Sequence, residues 1–415
     1  MKQHRGVLIC VFASVIATVN GYRPFTNKGR LSLVAMAFGL LVSEFPLQTL
    51  VAQGGALMLV SRRLSRQAQR RAWLLSALAW LGLLGLKRAA RAAEARLSAA
   101  LKAELSTMPP IESERLWRRP PPHGATAKTP GALRMLRIYR DYAHGSDISY
   151  GPHGTANLLD VWRRPNLNTG ERAPVLLQVP GGAWASGNKR GQAHPLMSHL
   201  AELGWVCVSI NYRLSPRHTW PDHIVDVKRA IAWVKDNIAD YGGDPDFIAI
   251  TGGSAGGHLS ALAALTPNHA PFQPGFADAD TSVQAAIPFY GVYDFTRTDA
   301  ALHPMMVPFL ETKVIKRRRA DSLDCFRAAS PISYVGPDAP PFFVLHGTND
   351  SFIPVQQARS FTARLREVSG QPVVYAELPF AQHAFDVFGS ARAAHAAVAV
   401  EQFLAQIYAK RLRAT

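Results

Sequence analysis

A serine hydroxyl attacks a carbonyl only when it stands clear of the backbone beside a base, and Ser254 is spaced for that task. It sits between the apolar run Phe247–Ile250 and an Ala/Leu-rich stretch that begins at Gly256. Gly252 and Gly256 lie two residues to either side, the G-x-S-x-G spacing of a nucleophile elbow. Such a turn strains the serine backbone and crowds its neighbours, which glycine relieves. The helix that follows points its N-terminus at the place where negative charge would develop.

The base and the orienting acid are expected downstream in the order serine, acid, histidine, each in a loop after a later strand. Asp350 ends the loop that follows the apolar run Phe342–Leu345, and His383 lies in a loop after Val373–Glu377. Asp350 could instead be an ordinary helix-capping aspartate and His383 a surface histidine. Asp386 is a second carboxylate in reach, but it shares the turn of His383 and leaves Asp350 without a role. His258, four residues after Ser254 along the helix, is read as structural. Backbone donors for an oxyanion are expected upstream at Gly181 and Gly182, where no side chain blocks close approach, with the N–H of Ala255 completing the set.

Positioning these residues requires strands that end at one edge. Short apolar runs at Ile138–Tyr142, Ala156–Trp162, Val175–Val179, Val206–Ile210, Phe247–Ile250, Ala285–Tyr290, Phe342–His346 and Val373–Glu377 read as strands. Helical patterns at His194–Leu203, Ile224–Ile238, Gly256–Leu265, Val355–Val368 and Ala391–Tyr408 alternate with them. This alternation implies an α/β fold, a mostly parallel central sheet with helices on both faces and ligands at the carboxyl ends of the strands.

The chain has 415 residues and is 48% hydrophobic, enough for more than one unit. Its formal charge of +17 is uneven: residues 1–128 hold 19 Lys/Arg against 5 Asp/Glu, and the remainder 27 against 24. The basic residues flank apolar runs at Gly6–Val19, Leu31–Val60 and Ala72–Leu86, as at membrane-spanning segments, and not an aromatic-rich nucleic-acid surface. Glu44 in the middle run is costly in lipid, so it should face a partner helix or mark a broken, hairpin-like segment. Residues 1–20 as a cleaved signal peptide, or all three runs as buried helices, are the competing readings. Three cysteines without a C-x-x-C pair indicate neither a disulfide framework nor a structural metal. The expected organisation is a membrane-anchoring helical region over 1–105, a Pro-rich linker over 106–135 and a catalytic domain over 136–415. Within the last, 294–333 is expected to cap the site. The proline-rich linker offers few opportunities for a shared core, so anchor and catalytic domain are expected to separate cleanly.

From Leu158 to Leu404 the chain resembles the α/β-hydrolase superfamily, and within it the hormone-sensitive-lipase-like carboxylesterases and their feruloyl-esterase-like relatives. The resemblance rests on Leu159-Asp160-Val161-Trp162, Gly181-Gly182-Ala183-Trp184, Asn211-Tyr212-Arg213-Leu214-Ser215-Pro216 with Trp220-Pro221 and Asp226, Gly242-Gly243-Asp244-Pro245, the Ser254 elbow and the Asp350 and His383 loops. It implies a Ser254–Asp350–His383 triad and an oxyanion hole from Gly182, Ala183 and Ala255. Pro180 departs from the pattern, because these families usually have histidine there. The resulting expectation is a membrane-anchored serine ester hydrolase for short- to medium-chain or lipid-like esters. It needs no metal or organic cofactor, takes membrane lipids and an ester substrate as partners, binds no nucleic acid and is located at a plasma or inner membrane. Neither the side of the membrane nor the oligomeric state can be read. A serine amidase or acyltransferase could use the same groups, and a catalytically inactive scaffold could keep the fold.

Overall fold

The computed structural model describes residues 2–27, 29–61, 64–106, 108–109, 132–167, 170, 172–299 and 301–414. Most of the linker expected over 106–135 therefore lies outside the described residues. Four helices come first: α1 (Lys2–Tyr22), α2 (Leu31–Glu44), α3 (Pro46–Ser61) and the 40-residue α4 (Arg66–Leu105). There follow α5 (Ala132–Tyr142), β1 (Ala143–Ser149), β2 (Leu158–Trp162), β3 (Ala173–Val179), α6 (His194–Glu202), β4 (Val206–Ile210), α7 (Asp222–Asn237), β5 (Gly243–Gly253), α8 (Ala255–Leu265) and β6 (Ala285–Phe289). The chain ends with the short α9 (Met306–Phe309) and α10 (Leu323–Ala328), then β7 (Phe342–Gly347), α11 (Gln356–Val368), β8 (Val373–Leu378) and α12 (Ala391–Ala414).

The strands form one eight-stranded sheet in the order β1-β2-β4-β3-β5-β6-β7-β8. Pairs β1/β2 and β2/β4 are antiparallel and all the others parallel. Register decides what this sheet can do. Val179 pairs with Gly252, Gly253 with Phe289, Phe289 with Leu345, and Gly347 with Leu378, so β3, β5, β6, β7 and β8 all end along one edge. Alternating side chains sort the core into two layers, as pleating requires. Val175, Leu177 and Val179 pack with α7, α8 and α11 on one face, whereas Leu176, Cys207 and Phe343 pack with α6 and α12 on the other.

One expected strand is a helix. Ile138–Tyr142 belongs to α5, because Ile138 and Tyr142, four residues apart, are both buried against the layer that holds α6. The strand that pairs with β2 is the more polar Ala143–Ser149, whose side chains lack an apolar run to betray it.

The N-terminal helices do not stand apart from the sheet, contrary to the expected clean separation. Ala93, Leu97, Leu101 and Leu105, at four-residue spacing on α4, are buried in the same cluster as Val400, Phe403 and Leu404 of α12. A proline-rich connection leaves the segments it joins free to pack, and here they share an apolar core. The middle apolar run is broken: α2 and α3 meet at 96°. Pro46 has no N–H and disfavours a helical conformation at Phe45, which takes φ −125° and ψ 49°. Glu44, the last residue of α2, is buried and paired with Arg392 of α12, and it accepts a 2.8 Å hydrogen bond from Ser390 Oγ. The costly charge thus has a partner from α12, near the other end of the chain.

The outer surface of these helices is apolar. Nineteen of the 22 exposed large hydrophobic side chains among the described residues lie between Ile9 and Leu84. By length and composition α4 could cross a bilayer alone, and α2 with α3 could do so if taken as one bent span.

Removing one member of a buried ion pair strands the other charge. Arg392→Met should therefore destabilise the full chain by about 3–5 kcal/mol, while Glu44→Leu/Arg392→Met should recover most of the loss. Urea unfolding followed by tryptophan fluorescence compares the three proteins.

Candidate active site

Ser254 follows the last residue of β5 and caps α8, with φ 58° and ψ −119°, a conformation that side-chain-bearing residues rarely adopt. Two glycines make it possible. A Cβ at Gly252 would lie 2.5 Å from the Val179 carbonyl oxygen, and one at Gly256 would lie 2.1 Å from the same atom. The turn is closed by hydrogen bonds from Ser254 N–H to the Phe289 carbonyl at 3.0 Å and from His258 N–H to the Ser254 carbonyl at 2.9 Å.

The loops after β7 and β8 bring Asp350 and His383 together, with His383 Nδ1 2.7 Å from Asp350 Oδ2. Asp350 Oδ1 accepts from the N–H groups of Phe352 and Ile353 at 2.9 and 2.7 Å. Burial pushes the Asp350 carboxyl up, but the neighbouring His383 and the hydrogen bonds from His346 and His383 outweigh it and hold the group well below the usual carboxylate range. A carboxylate at Nδ1 keeps the proton on that nitrogen and leaves Nε2 as the basic one. His383 and Ser254 share neighbours. The Tyr290 ring lies 4.7 Å from the His383 ring and closes on the backbone at Gly253, and Phe352, which lines the cavity at Ser254, is 5.4 Å from His383.

Asp386 goes elsewhere, accepting a hydrogen bond from the Tyr290 hydroxyl. His258 is fully engaged. Trp184 Nε1–H donates to its Nδ1 at 3.1 Å, so Nε2 carries the proton and donates to the Ala329 carbonyl at 2.6 Å. Burial lowers its pKa to about 4, which keeps it neutral.

The glycine motif after β3 divides its roles. The sequence offered Gly181 as an oxyanion donor, but its N–H donates to Gln192 Oε1 at 2.7 Å and is not free for that role. The N–H groups of Gly182, Ala183 and Ala255 have no acceptor among the described residues. Gly182 has φ 125° and Ala183 φ 53°. Where Pro180 stands in place of histidine, the Tyr212 hydroxyl donates to the Pro180 carbonyl at 2.9 Å, and with Gln192 it fixes the loop.

Ser254 opens onto an apolar cavity of about 270 Å³, with Trp184, Met305, Met306, Phe309 and Ile353 among its walls. Met305, Met306 and Phe309 come from the segment between β6 and β7, and a further wall residue, Leu33, comes from α2. Sequence reasoning missed Gln192, Tyr212, Leu33 and also Gln382, whose Oε1 accepts from Ser351 N–H at 2.7 Å and His383 N–H at 2.9 Å and so ties the Asp350 and His383 loops together. Only adjacency to Asp350 and His383 could have pointed to this last contact.

Burial raises the Asp386 carboxyl from 3.8 to about 6. Folding therefore favours its neutral form, a contribution complete below the unfolded value and lost as pH rises through about 6. Asp386→Asn fixes a neutral side chain and should match the native protein near pH 4 but unfold at higher urea than it does at pH 8. Denaturation curves at both pH values check the sign.

Residues 159–365 match the BD-FAE family. The chain is 64% identical over 404 residues to the probable carboxylic ester hydrolase LipM of Mycobacterium tuberculosis, covering 97% of this chain and 94% of that protein. It is 50% identical to esterase LipQ of the same organism, over 93% of this chain and 88% of the relative. Among solved structures it is similar to esterase 2 of Thermogutta terrifontis, with TM-score 0.53 and 25% identity over 65% of this chain and 93% of that one.

Proposed function

Because the chain belongs to the carboxylic ester hydrolase family of these relatives it is an ester hydrolase, and we propose that it acts through Ser254, His383 and Asp350 while seated in a membrane by its N-terminal helices. The observation that carries this reading is the 2.7 Å bond from His383 to Asp350 at the strand edge where Ser254 stands in its strained turn.

In the proposed reaction, Ser254 Oγ attacks the ester carbonyl carbon as its proton passes to His383 Nε2. The N–H groups of Gly182, Ala183 and Ala255 hold the developing oxyanion, placed beforehand by the fixed loop after β3 and by the start of α8. Collapse of the tetrahedral adduct expels the alcohol, which takes the proton from His383 and leaves an acyl group on Ser254. Water then enters by the same route: its oxygen bonds to the acyl carbon as its proton passes to His383, and collapse of this second adduct releases the acid as His383 returns the proton to Ser254 Oγ. Asp350 stays ionised throughout and steadies the imidazolium.

The cavity of about 270 Å³ is near the lower end of ordinary ligand pockets, which favours short- to medium-chain acyl groups. The apolar exterior of α1 to α4, flanked in sequence by Arg and Lys, favours a membrane seat.

Ser254→Ala should abolish both hydrolysis of p-nitrophenyl butyrate and labelling by a fluorophosphonate. Asp350→Asn should lower kcat by roughly 10⁴, whereas Asp386→Asn should stay within about tenfold, a loss of the order of one hydrogen bond. Persistent labelling of the Ser254 variant would overturn the assignment. The membrane seat is tested separately by fractionation: the full chain should remain in the pellet through high salt and alkaline carbonate. Release by salt alone would mean that its basic clusters merely adsorb to the surface.

A further inference from the structure

The geometry points to Leu33, a residue of the N-terminal helices, as a determinant of acyl-chain length. This deepens the proposed function and rests on Ser254 being the nucleophile. Leu33 lines the same cavity as Ser254, yet it remains 42% exposed. The side chain thus touches both the cavity and the solvent-facing surface of the protein.

A wall can select by size only if it is held in place, and α2 is held at both ends. At its start, Ser351 Oγ, one residue from Asp350, donates to the Ser32 carbonyl at 3.2 Å, directly before Leu33. At its end, Glu44 is buried against Arg392 and Ser390. Between these points, a Cβ at Gly39 would come 3.1 Å from Gln382 Nε2, the side chain that ties the acid and histidine loops. The end of α1 is fixed as well, because Asn349 Nδ2 donates to the carbonyls of Gly21 and Tyr22 at 2.9 and 2.8 Å. Helix α2 is thus docked on the loops that carry Asp350 and His383, and its side chains have a set distance from Ser254.

The same cavity is lined by Met305, Met306 and Phe309, flexible or flat apolar side chains that adapt to a chain lying against them. An acyl group too long for the cavity would then pass Leu33, which is the α2 side chain in contact with the cavity. Shortening Leu33 should open that path and enlarging it should shut it. Hydrophobic pockets commonly discriminate by about tenfold for each methylene that loses its place.

The experiment uses the full-length protein in detergent and compares kcat/KM on p-nitrophenyl acetate, butyrate, octanoate and dodecanoate. Leu33→Ala should raise the octanoate-to-acetate ratio by about tenfold and Leu33→Trp should lower it by a similar factor. Val34→Ala, its exposed neighbour on the same helix, should keep the native ratio. Unchanged ratios in both Leu33 variants would overturn the inference, as would an equal shift in Val34→Ala or a uniform loss on all four esters. A failure of the nucleophile assignment reads differently, as fluorophosphonate labelling that survives Ser254→Ala.

Discussion

The close approach of three backbones at Ser254 is the constraint on which the site depends. Strand β5 must hand over to α8 while lying against the end of β3, and the Val179 carbonyl occupies the space where side chains at Gly252 and Gly256 would stand. Only glycine at both positions lets the strand, the turn and the helix meet, and only that meeting holds Ser254 at a positive φ with its hydroxyl clear of the main chain. The parallel register then does the rest. Since β3, β6, β7 and β8 stop level with β5, Gly182, Tyr290, Asp350 and His383 all follow strands that end along one edge.

The polar groups around this edge are graded by what surrounds them. Asp350 is buried yet stays charged, because two backbone N–H groups and two imidazoles replace the water it lost. Asp386, only three residues beyond His383, has the Tyr290 hydroxyl and little else to stabilise its charge, and its carboxyl is raised. Two carboxylates close in sequence to the histidine therefore have opposite tendencies, and this difference suits the first to steady a positive imidazolium.

The N-terminal helices change what counts as the catalytic unit. An ester hydrolase sheet could bury its own edge, but here α1 and α2 are hydrogen-bonded to Asn349 and Ser351, on either side of Asp350, and α4 fills part of the core beside α12. The same helices turn an apolar surface outward. A chain so arranged couples its outer surroundings to its acid and histidine loops through a few polar contacts and one buried ion pair, and any rearrangement of α2 reaches both loops at once.

The sequence by itself determined the sheet, the elbow and the order of serine, acid and histidine, since each is written in local terms. Apolar runs of strand length alternate with helical spacing, Gly252 and Gly256 sit at fixed distances from Ser254, and Asp350 and His383 each follow a strand. It also marked Glu44 as a charge that needed a partner or a break, and both are present. Tertiary structure alone decided that Gly181 spends its N–H on Gln192 and that Leu33 reaches the cavity of Ser254. These depend on contacts between residues far apart in the chain, such as Ser32 with Ser351 and Glu44 with Arg392, for which local periodicity carries no signal. For the same reason Ile138–Tyr142 read as a strand: five residues rich in β-branched and aromatic side chains fit either period, and only packing in the α6 layer selected the helix.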